Sequence, residues 1–158
     1  MAIDKETANA MRGFSVVSLW NPKYDGNIGG AIRAASLFKA NLVVIGEQKH
    51  LKKQGRIERT DPRSSHKHMP IIWTANPLDS LPHNAKAVAI EIAQGSISLC
   101  DFEHPESAFY LFGSEDTGIP KDIQAVCDYV VTIPVGSLNL AASVNIVLYD
   151  RLCKRRMI

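Results

Sequence analysis

The sequence predicts an α/β protein whose sheet is mostly parallel and flanked by helices. Apolar runs such as FSVVSLW (residues 14–20) and NLVVIG (residues 41–46) are continuous, as in strands that are buried on both faces. Between such runs stand segments whose apolar residues recur at the i, i+3, i+4, i+7 spacing of a helix. The chain has 158 residues, 46% hydrophobic and 22% charged, and this balance suits one soluble domain with one core.

The first half of the chain predicts a strand, a helix, a second strand and a long loop. The strands cover residues 14–20 and 41–46, and the helix covers residues 27–40. The apolar face of this helix comprises Ile28, Ala31, Ile32, Ala35 and Phe38. Residues 47–69 are polar and basic and contain Gly55 and Pro62, so they predict a long surface loop that can hold a short helix.

The second half continues the alternation. A short apolar stretch at residues 71–73 precedes a proline-bounded turn at residues 76–82. Further strands are predicted at residues 87–92, 109–112 and 129–133, and helices at residues 119–126 and 139–154. One face of the last helix carries Leu140, Val144, Val147 and Leu148. We see no repeat and no domain boundary, so we expect residues 1–158 to form a single domain without an appended RNA-binding domain.

Composition and cysteine usage exclude several classes of protein. No apolar run approaches the roughly 18–20 residues of a membrane span, and the first residues lack the apolar core of a secretory signal, so we expect a cytoplasmic location. The three cysteines are widely spaced without a C-x-x-C pair, which argues against disulfides and a zinc site. We interpret Cys100, Cys127 and Cys153 as reduced, buried thiols. His66 and His68 are a weak pair with no third ligand nearby, so we predict no metal site.

The basic residues are clustered although the formal net charge is only +2. Two segments, residues 47–67 and residues 151–156, hold most of them. Their basic residues are Lys49, Lys52, Lys53, Arg56, Arg59, Arg63, Lys67, Arg151, Lys154, Arg155 and Arg156. Separately they fit a solvated loop and a helix C-terminus whose cations complement the helix dipole. Together they favour a polyanionic partner, because phosphate contacts dominate the binding of RNA and DNA.

The first segment with a chemical signal is NPKYDGNIGGAIR, residues 21–33. Gly26, Gly29 and Gly30 stand where a strand meets a helix, a place where backbone can approach a ligand closely. A dinucleotide-binding turn with Glu47 as ribose ligand is excluded, because G-x-x-G-G is not the G-x-G-x-x-G spacing. Arg33 points away from the apolar face of the helix, which fits either a functional residue or an ordinary exposed arginine.

The second and third segments also follow strands. In LFGSEDTGIP, residues 111–120, Glu115 comes directly after a strand, at the sheet edge where α/β folds bind ligands. In VTIPVGSLNLAASVN, residues 131–145, a strand ends, a loop carries Gly136, Ser137 and Asn139, and a helix begins. Ser137 and Asn139 can be simple helix N-caps or functional residues.

In order and spacing, the three segments resemble the signature motifs of the SpoU family of RNA ribose 2′-O-methyltransferases, in the SPOUT superfamily. The resemblance runs from about Ser15 to Tyr149. The matching catalytic positions are Asn27 and Arg33 in GNIGGAIRAA, Glu115 in FGSE, and Ser137 and Asn139 in IPVGSLNLAAS. The departures are mild: Lys39-Ala40-Asn41 stands where many relatives have a glycine, and the small-residue run at residues 140–143 varies.

The resemblance implies a sheet whose C-terminal segment is threaded into a deep trefoil knot, with S-adenosylmethionine bound in the knot. The cofactor would lie against Glu91, Ile92, Gly113, Ile133, Ser137 and Leu138. The resemblance also implies a homodimer with the active sites near the interface, for which the apolar side of the last helix is a candidate contact.

The resemblance further implies residue roles. Arg33 would act either as the base for the 2′-hydroxyl or, since a guanidinium stays protonated at neutral pH, by binding phosphate and stabilising the alkoxide. Asn27 and Asn139 would orient ribose or Arg33, Glu115 would tether the arrangement, and Ser137 would hold the hydroxyl or the cofactor. The expected substrate is structured RNA, with tRNA favoured. The alternatives are rRNA and a non-catalytic RNA-binding module of the same fold.

Overall fold

The computed structural model describes residues 4–5, 12–46 and 65–158. Most of the basic segment at residues 47–67, including Lys52, Lys53 and Arg56, lies outside these ranges. Its role toward RNA therefore stays a prediction.

Seven strands in the described part of the chain form one sheet, and each neighbouring pair in it is parallel. The strands are β1 (Ser15–Trp20), β2 (Leu42–Gly46), β3 (Ile71–Thr74), β4 (Lys86–Ile90), β5 (Ile97–Ser98), β6 (Ala108–Gly113) and β7 (Tyr129–Thr132). Their order across the sheet is β3-β2-β1-β6-β4-β7-β5. The α-helices are α1 (Asp25–Leu37), α2 (Lys121–Val126) and α3 (Leu140–Lys154). The predicted class, an α/β protein with a parallel sheet, is confirmed.

The boundaries of several elements differ from the prediction. Helix α1 begins at Asp25 instead of Asn27, because the Tyr24 carbonyl already accepts the N–H groups of Asn27 and Ile28, at 3.0 and 3.2 Å. It ends at Leu37, before Lys39 adopts a positive φ of 57°. Strand β4 ends at Ile90, two residues earlier than expected. The two-residue strand β5 was not predicted, because so short an edge strand leaves no apolar pattern.

Both faces of the sheet are covered. Val17 and Leu19 of β1 lie in one buried cluster with residues of α1 and α3, while Val16 lies in a second cluster with Ile119 and the half-buried Ile123 of α2. Leu140, Val144, Val147 and Leu148 of α3 all belong to the first cluster. The expectation that this apolar side contacts a second subunit is therefore wrong, since the chain's own core already covers it.

The C-terminal basic residues support the fold. Arg151 is 3% exposed, and its guanidinium donates to the carbonyls of Pro105 and Glu106 at 2.6 and 2.7 Å. Lys154 donates to the carbonyls of Leu99 and Phe102. These two residues therefore serve the fold, and the structure does not test whether the C-terminal basic segment also binds phosphate.

The cysteines are free but not all buried. Cys100 and Cys153 are exposed, and Cys127 is half-buried. The burial prediction fails because Cys100 lies on a short 3-10 turn and Cys153 lies on the outward side of α3. Within the three described ranges, none of the helices has the length and apolar character that crossing a membrane requires.

A buried polar chain also joins α3 to the sheet. His104, with a fully buried side chain, lies 2.6 Å from the Tyr110 hydroxyl through Nδ1 and 2.8 Å from the Asp150 carboxylate through Nε2. Burial lowers the pKa of His104 from 6.5 to about 4, against the opposing effect of Asp150. The neutral ring therefore donates from Nε2 to Asp150 and accepts at Nδ1 from Tyr110, whose oxygen accepts from Arg151 at 3.1 Å.

This depressed pKa predicts a loss of stability in mild acid. Between pH 6.5 and pH 4 the unfolded chain binds a proton at residue 104 that the folded chain does not bind. This contribution is present above pH 6.5 and declines as pH falls toward 4, by about 2 kcal/mol between pH 7 and pH 5. Urea unfolding at both pH values should show a smaller drop for His104→Gln than for wild type or the exposed-site control His83→Gln. An equal drop in all three proteins contradicts the assignment.

Candidate active site

The carboxyl edge of the sheet holds a cavity of about 480 Å³. The loops after β4, β6 and β7 line it. Residues expected to contact the cofactor all belong to this wall: Glu91, Ile92, Gly113, Ile133, Ser137 and Leu138. Glu115 and Ser143 line it as well. The three loops meet here because their strands are neighbours and parallel, so that their carboxyl ends lie at one edge.

Two glycines allow the loop after β6 to fold tightly against Glu91. A Cβ on Gly113 would lie 2.5 Å from the Gly118 carbonyl carbon, and Gly118 itself has a φ of 62°. The Glu91 carboxylate accepts the backbone N–H groups of Ile119 and Ile92, at 2.8 and 2.9 Å. Glu91 thus fixes one loop against another and, at the same time, forms part of the cavity wall.

A hydrogen-bonded relay joins three of the predicted catalytic residues. Asn139 donates from Nδ2 to Asn27 Oδ1 at 2.7 Å, and Asn27 donates from Nδ2 to Glu115 Oε1. The same Glu115 oxygen accepts the Leu140 N–H at 3.3 Å. Its other oxygen is buried and has no hydrogen-bond partner in the described part of the chain. Residues far apart in sequence are thereby joined at the cavity, which Asn27 and Asn139 reach through Glu115.

Asn139 is both a helix cap and a member of the relay. Its Oδ1 accepts the backbone N–H groups of Ala141 and Ala142, at 2.9 and 3.3 Å, and caps α3. Its amide nitrogen remains for Asn27. The sequence left open whether Asn139 is a helix N-cap or a member of the candidate site, and in the structure it is both.

Ser137 and Arg33 stand apart from this relay. Ser137 lines the cavity. Arg33 is half-buried, does not line the cavity and makes no hydrogen bond or ion pair with the described part of the chain. Six residues after Asn27, it lies about 9 Å farther along the helix axis. Within one chain, the structure does not bring Arg33 together with the other predicted catalytic residues.

Residues 15–149 match the model of the SpoU rRNA Methylase family. The chain belongs to this family. The match confirms the resemblance of the three motifs and spans nearly the same residues. Among curated proteins, an uncharacterized tRNA/rRNA methyltransferase of Archaeoglobus fulgidus is 29% identical over 134 residues, covering 78% of this chain and 57% of the relative. The chain spans about half the length of the curated relatives that it matches.

Solved structures share the SpoU fold of this chain. An AdoMet-bound rRNA methyltransferase from Sinorhizobium meliloti has a TM-score of 0.81 at 21% identity, covering 100% of this chain and 62% of the other. A structure concerned with the 2-OH methylation of C/U34 on tRNA has a TM-score of 0.80 at 23% identity, covering 92% of this chain and 99% of the other. At these identities the likeness establishes the fold.

Two features of this SpoU site were missed in the sequence. Lys23 forms an ion pair with Asp116, which joins the loop before α1 to the cavity wall. Lys121, the first residue of α2, lines the cavity. A single lysine in GIPKD carries no pattern that separates it from a solvated surface residue, and the pairing of Lys23 depends on contact between distant segments.

The position of the relay depends on the close crossing of α1 and α3. A Cβ on Gly30 would lie 2.8 Å from the Cβ of Ala141, next to the helix start that Asn139 caps. Gly30 is therefore required here for close approach of the two helices.

Gly30→Ala should destabilise the fold although alanine favours a helix by about 1 kcal/mol. Overpacking against Ala141 should outweigh that gain and lower the free energy of unfolding by about 1–2 kcal/mol overall. The double variant Gly30→Ala/Ala141→Gly moves the methyl group across the contact and should recover most of the loss. Urea unfolding of both variants and of Ala141→Gly alone measures this. A fully stable Gly30→Ala single variant would contradict the crossing described here.

Proposed function

We propose that this SpoU-family chain is an S-adenosylmethionine-dependent RNA ribose 2′-O-methyltransferase that acts on tRNA. The observation that carries the proposal is the Asn27–Glu115–Asn139 relay at a cavity lined by three loops. Polar side chains that cluster at the carboxyl edge of a parallel sheet, where α/β proteins bind ligands, indicate a functional site.

The cofactor is S-adenosylmethionine. A cavity of about 480 Å³ suits a ligand of this size. The glycine-rich loop that ends at Gly118 leaves room for backbone to lie close to a ligand, and Glu91, Ile92, Ile133, Ser137 and Leu138 would hold it. The AdoMet-bound structure of similar fold supports this choice. When bound, the cofactor would supply a sulfonium-activated methyl group for the ribose 2′-oxygen, with S-adenosylhomocysteine as the leaving group and water as the acceptor of the hydroxyl proton.

The chain's residues would act mainly by positioning and by electrostatics. The relay holds Asn27 and Glu115 in one geometry, so the site is preorganised before RNA binds. Arg33 carries a guanidinium that no side chain of the described part neutralises, so it can bind a phosphate next to the target ribose and stabilise the developing alkoxide. A guanidinium is a very poor proton acceptor at neutral pH, so we assign Arg33 no role as the base.

We propose that the chain works as a homodimer through the outer face of α1 and α3. Exposed apolar residues lie there: Leu37, Ile146 and Tyr149 are 50%, 37% and 56% exposed. Phe38 packs edge-on against Tyr149, which joins the residues of the two helices in one patch. Arg33 stands one helical turn before Leu37 on α1. Arg33 does not line the cavity of its own chain, so we propose that it completes the site of a second copy seated on this face.

The choice of tRNA rests on the similar structure concerned with tRNA, of which this chain covers 99%. The rRNA alternative is favoured by the family description and by the Sinorhizobium meliloti enzyme. We further propose that the enzyme is cytoplasmic, that residues 47–67 contribute phosphate contacts, and that the C-terminal segment is threaded as the trefoil knot of the SPOUT superfamily.

The function is tested by incubating purified protein and S-adenosylmethionine with unmodified total tRNA and, separately, with rRNA. Nuclease digestion and mass spectrometry then identify the methylated nucleoside. A 2′-O-methylated nucleoside from tRNA supports the proposal. If the same product forms from rRNA alone, the substrate is rRNA and not tRNA. A base-methylated product refutes the 2′-O assignment.

Arg33→Ala should lower methyl transfer by roughly a hundred- to a thousandfold, the size expected when one stabilising donor is lost. The cofactor affinity should stay within about twofold, since Arg33 does not line the cavity. Calorimetry with S-adenosylmethionine and a radiolabelled methyl assay give the two values, with Arg33→Lys as the matched control for charge. Near-normal turnover of Arg33→Ala would show that Arg33 has no role in methyl transfer.

A further inference from the structure

Lys121 is the unpartnered cation of the cavity wall. The three carboxylates of the wall are engaged within the chain: Glu91 and Glu115 accept N–H groups, and Asp116 pairs with the ammonium of Lys23. Among the described residues that line the cavity, Lys121 is the one with a basic side chain. Its ammonium makes no hydrogen bond or ion pair with the described part of the chain. Its ammonium is therefore the positive group of the described wall that stays open to an anionic part of a ligand.

The backbone of Lys121 is held in place on both sides. Before it, the Ile119 N–H donates to Glu91 at 2.8 Å. After it, Gln124 donates from its backbone N–H to the Pro120 carbonyl at 2.9 Å and from its side chain to the Ile119 carbonyl at 2.7 Å. The four-carbon stem of lysine can move the ammonium while this backbone stays fixed. Lys121 therefore fits a charge anchor at the cavity.

The ligand chemistry that matches this charge follows from the proposed function. S-adenosylmethionine carries two positive groups, the sulfonium and the ammonium, and one negative group, the α-carboxylate. A carboxylate transferred from water into a cavity requires a charged or hydrogen-bonding partner. We propose that Lys121 binds the α-carboxylate of S-adenosylmethionine and so anchors the methionyl end of the cofactor. This inference depends on the cofactor assignment made above.

Removing the carboxylate from the ligand and the ammonium from the protein, separately and together, tests the contact. The ligands are S-adenosylmethionine and decarboxylated S-adenosylmethionine, which keeps the sulfonium and the amine. The proteins are wild type, Lys121→Gln, Lys121→Arg and the control Lys39→Gln, which changes an exposed lysine outside the cavity wall. Calorimetry without RNA gives a Kd for each pair.

Wild type and Lys39→Gln should bind S-adenosylmethionine roughly tenfold more tightly than the decarboxylated compound, as expected for one charge-assisted contact. In Lys121→Gln the affinity for S-adenosylmethionine should fall by about tenfold, while that for the decarboxylated compound changes by less than about twofold. The preference between the two ligands should therefore vanish. Lys121→Arg should restore most of it.

An unchanged preference in Lys121→Gln overturns the inference while leaving the proposed function intact. The same holds if Lys121→Gln binds both ligands normally but raises the KM for RNA, which would assign the ammonium to an RNA phosphate. If folded wild-type protein binds neither ligand, the cofactor assignment fails and this inference fails with it.

Discussion

The candidate site depends on one carboxylate, that of Glu115. One of its oxygens accepts the amide of Asn27 from the first turns of α1 and the backbone N–H of Leu140 at the start of α3. Asn139, which caps α3, completes the chain of hydrogen bonds by donating to Asn27. A half-buried carboxylate requires such donors, because a polar group removed from water without a partner is costly. The two helices are therefore bound to the loop after β6 by the same contacts that arrange the site.

The amino edge of the sheet anchors α3, and the carboxyl edge forms the cavity. At the amino edge, Arg151, Tyr110 and His104 form a buried polar chain whose hydrogen bonds end on backbone carbonyls and on Asp150. These groups hold the C-terminal half of α3 to the sheet. At the carboxyl edge, glycines and short loops leave a cavity with polar side chains in its wall. A helix fixed at one end by buried charge and capped at the other by Asn139 can present its N-terminus to the cavity without moving.

The apolar patterns could predict the order of strands and helices, because burial on both faces leaves continuous runs such as residues 14–20 and 41–46. They could not predict β5, whose two residues at the sheet edge have no such pattern. The motifs could indicate which residues matter, but not that Asn27 reaches the cavity through Glu115 while Arg33 stays outside it. The contacts of the basic residues of α3 could not be predicted either. Charge in a sequence does not reveal whether a side chain meets solvent or, as in Arg151, buried carbonyls.

We expect Asn27 and Asn139 to act on the site as one unit through Glu115. A double-mutant cycle on kcat/KM for RNA methylation tests it most directly, with Asn27→Ala and Asn139→Ser. Serine can still cap α3 but has no amide nitrogen to donate to Asn27. If the relay acts as a unit, kcat/KM falls by about ten- to a hundredfold in each single variant. In the double variant it falls little further than in the less active of the two single variants. Losses that multiply in the double variant would mean that the two residues act independently, which would contradict the account.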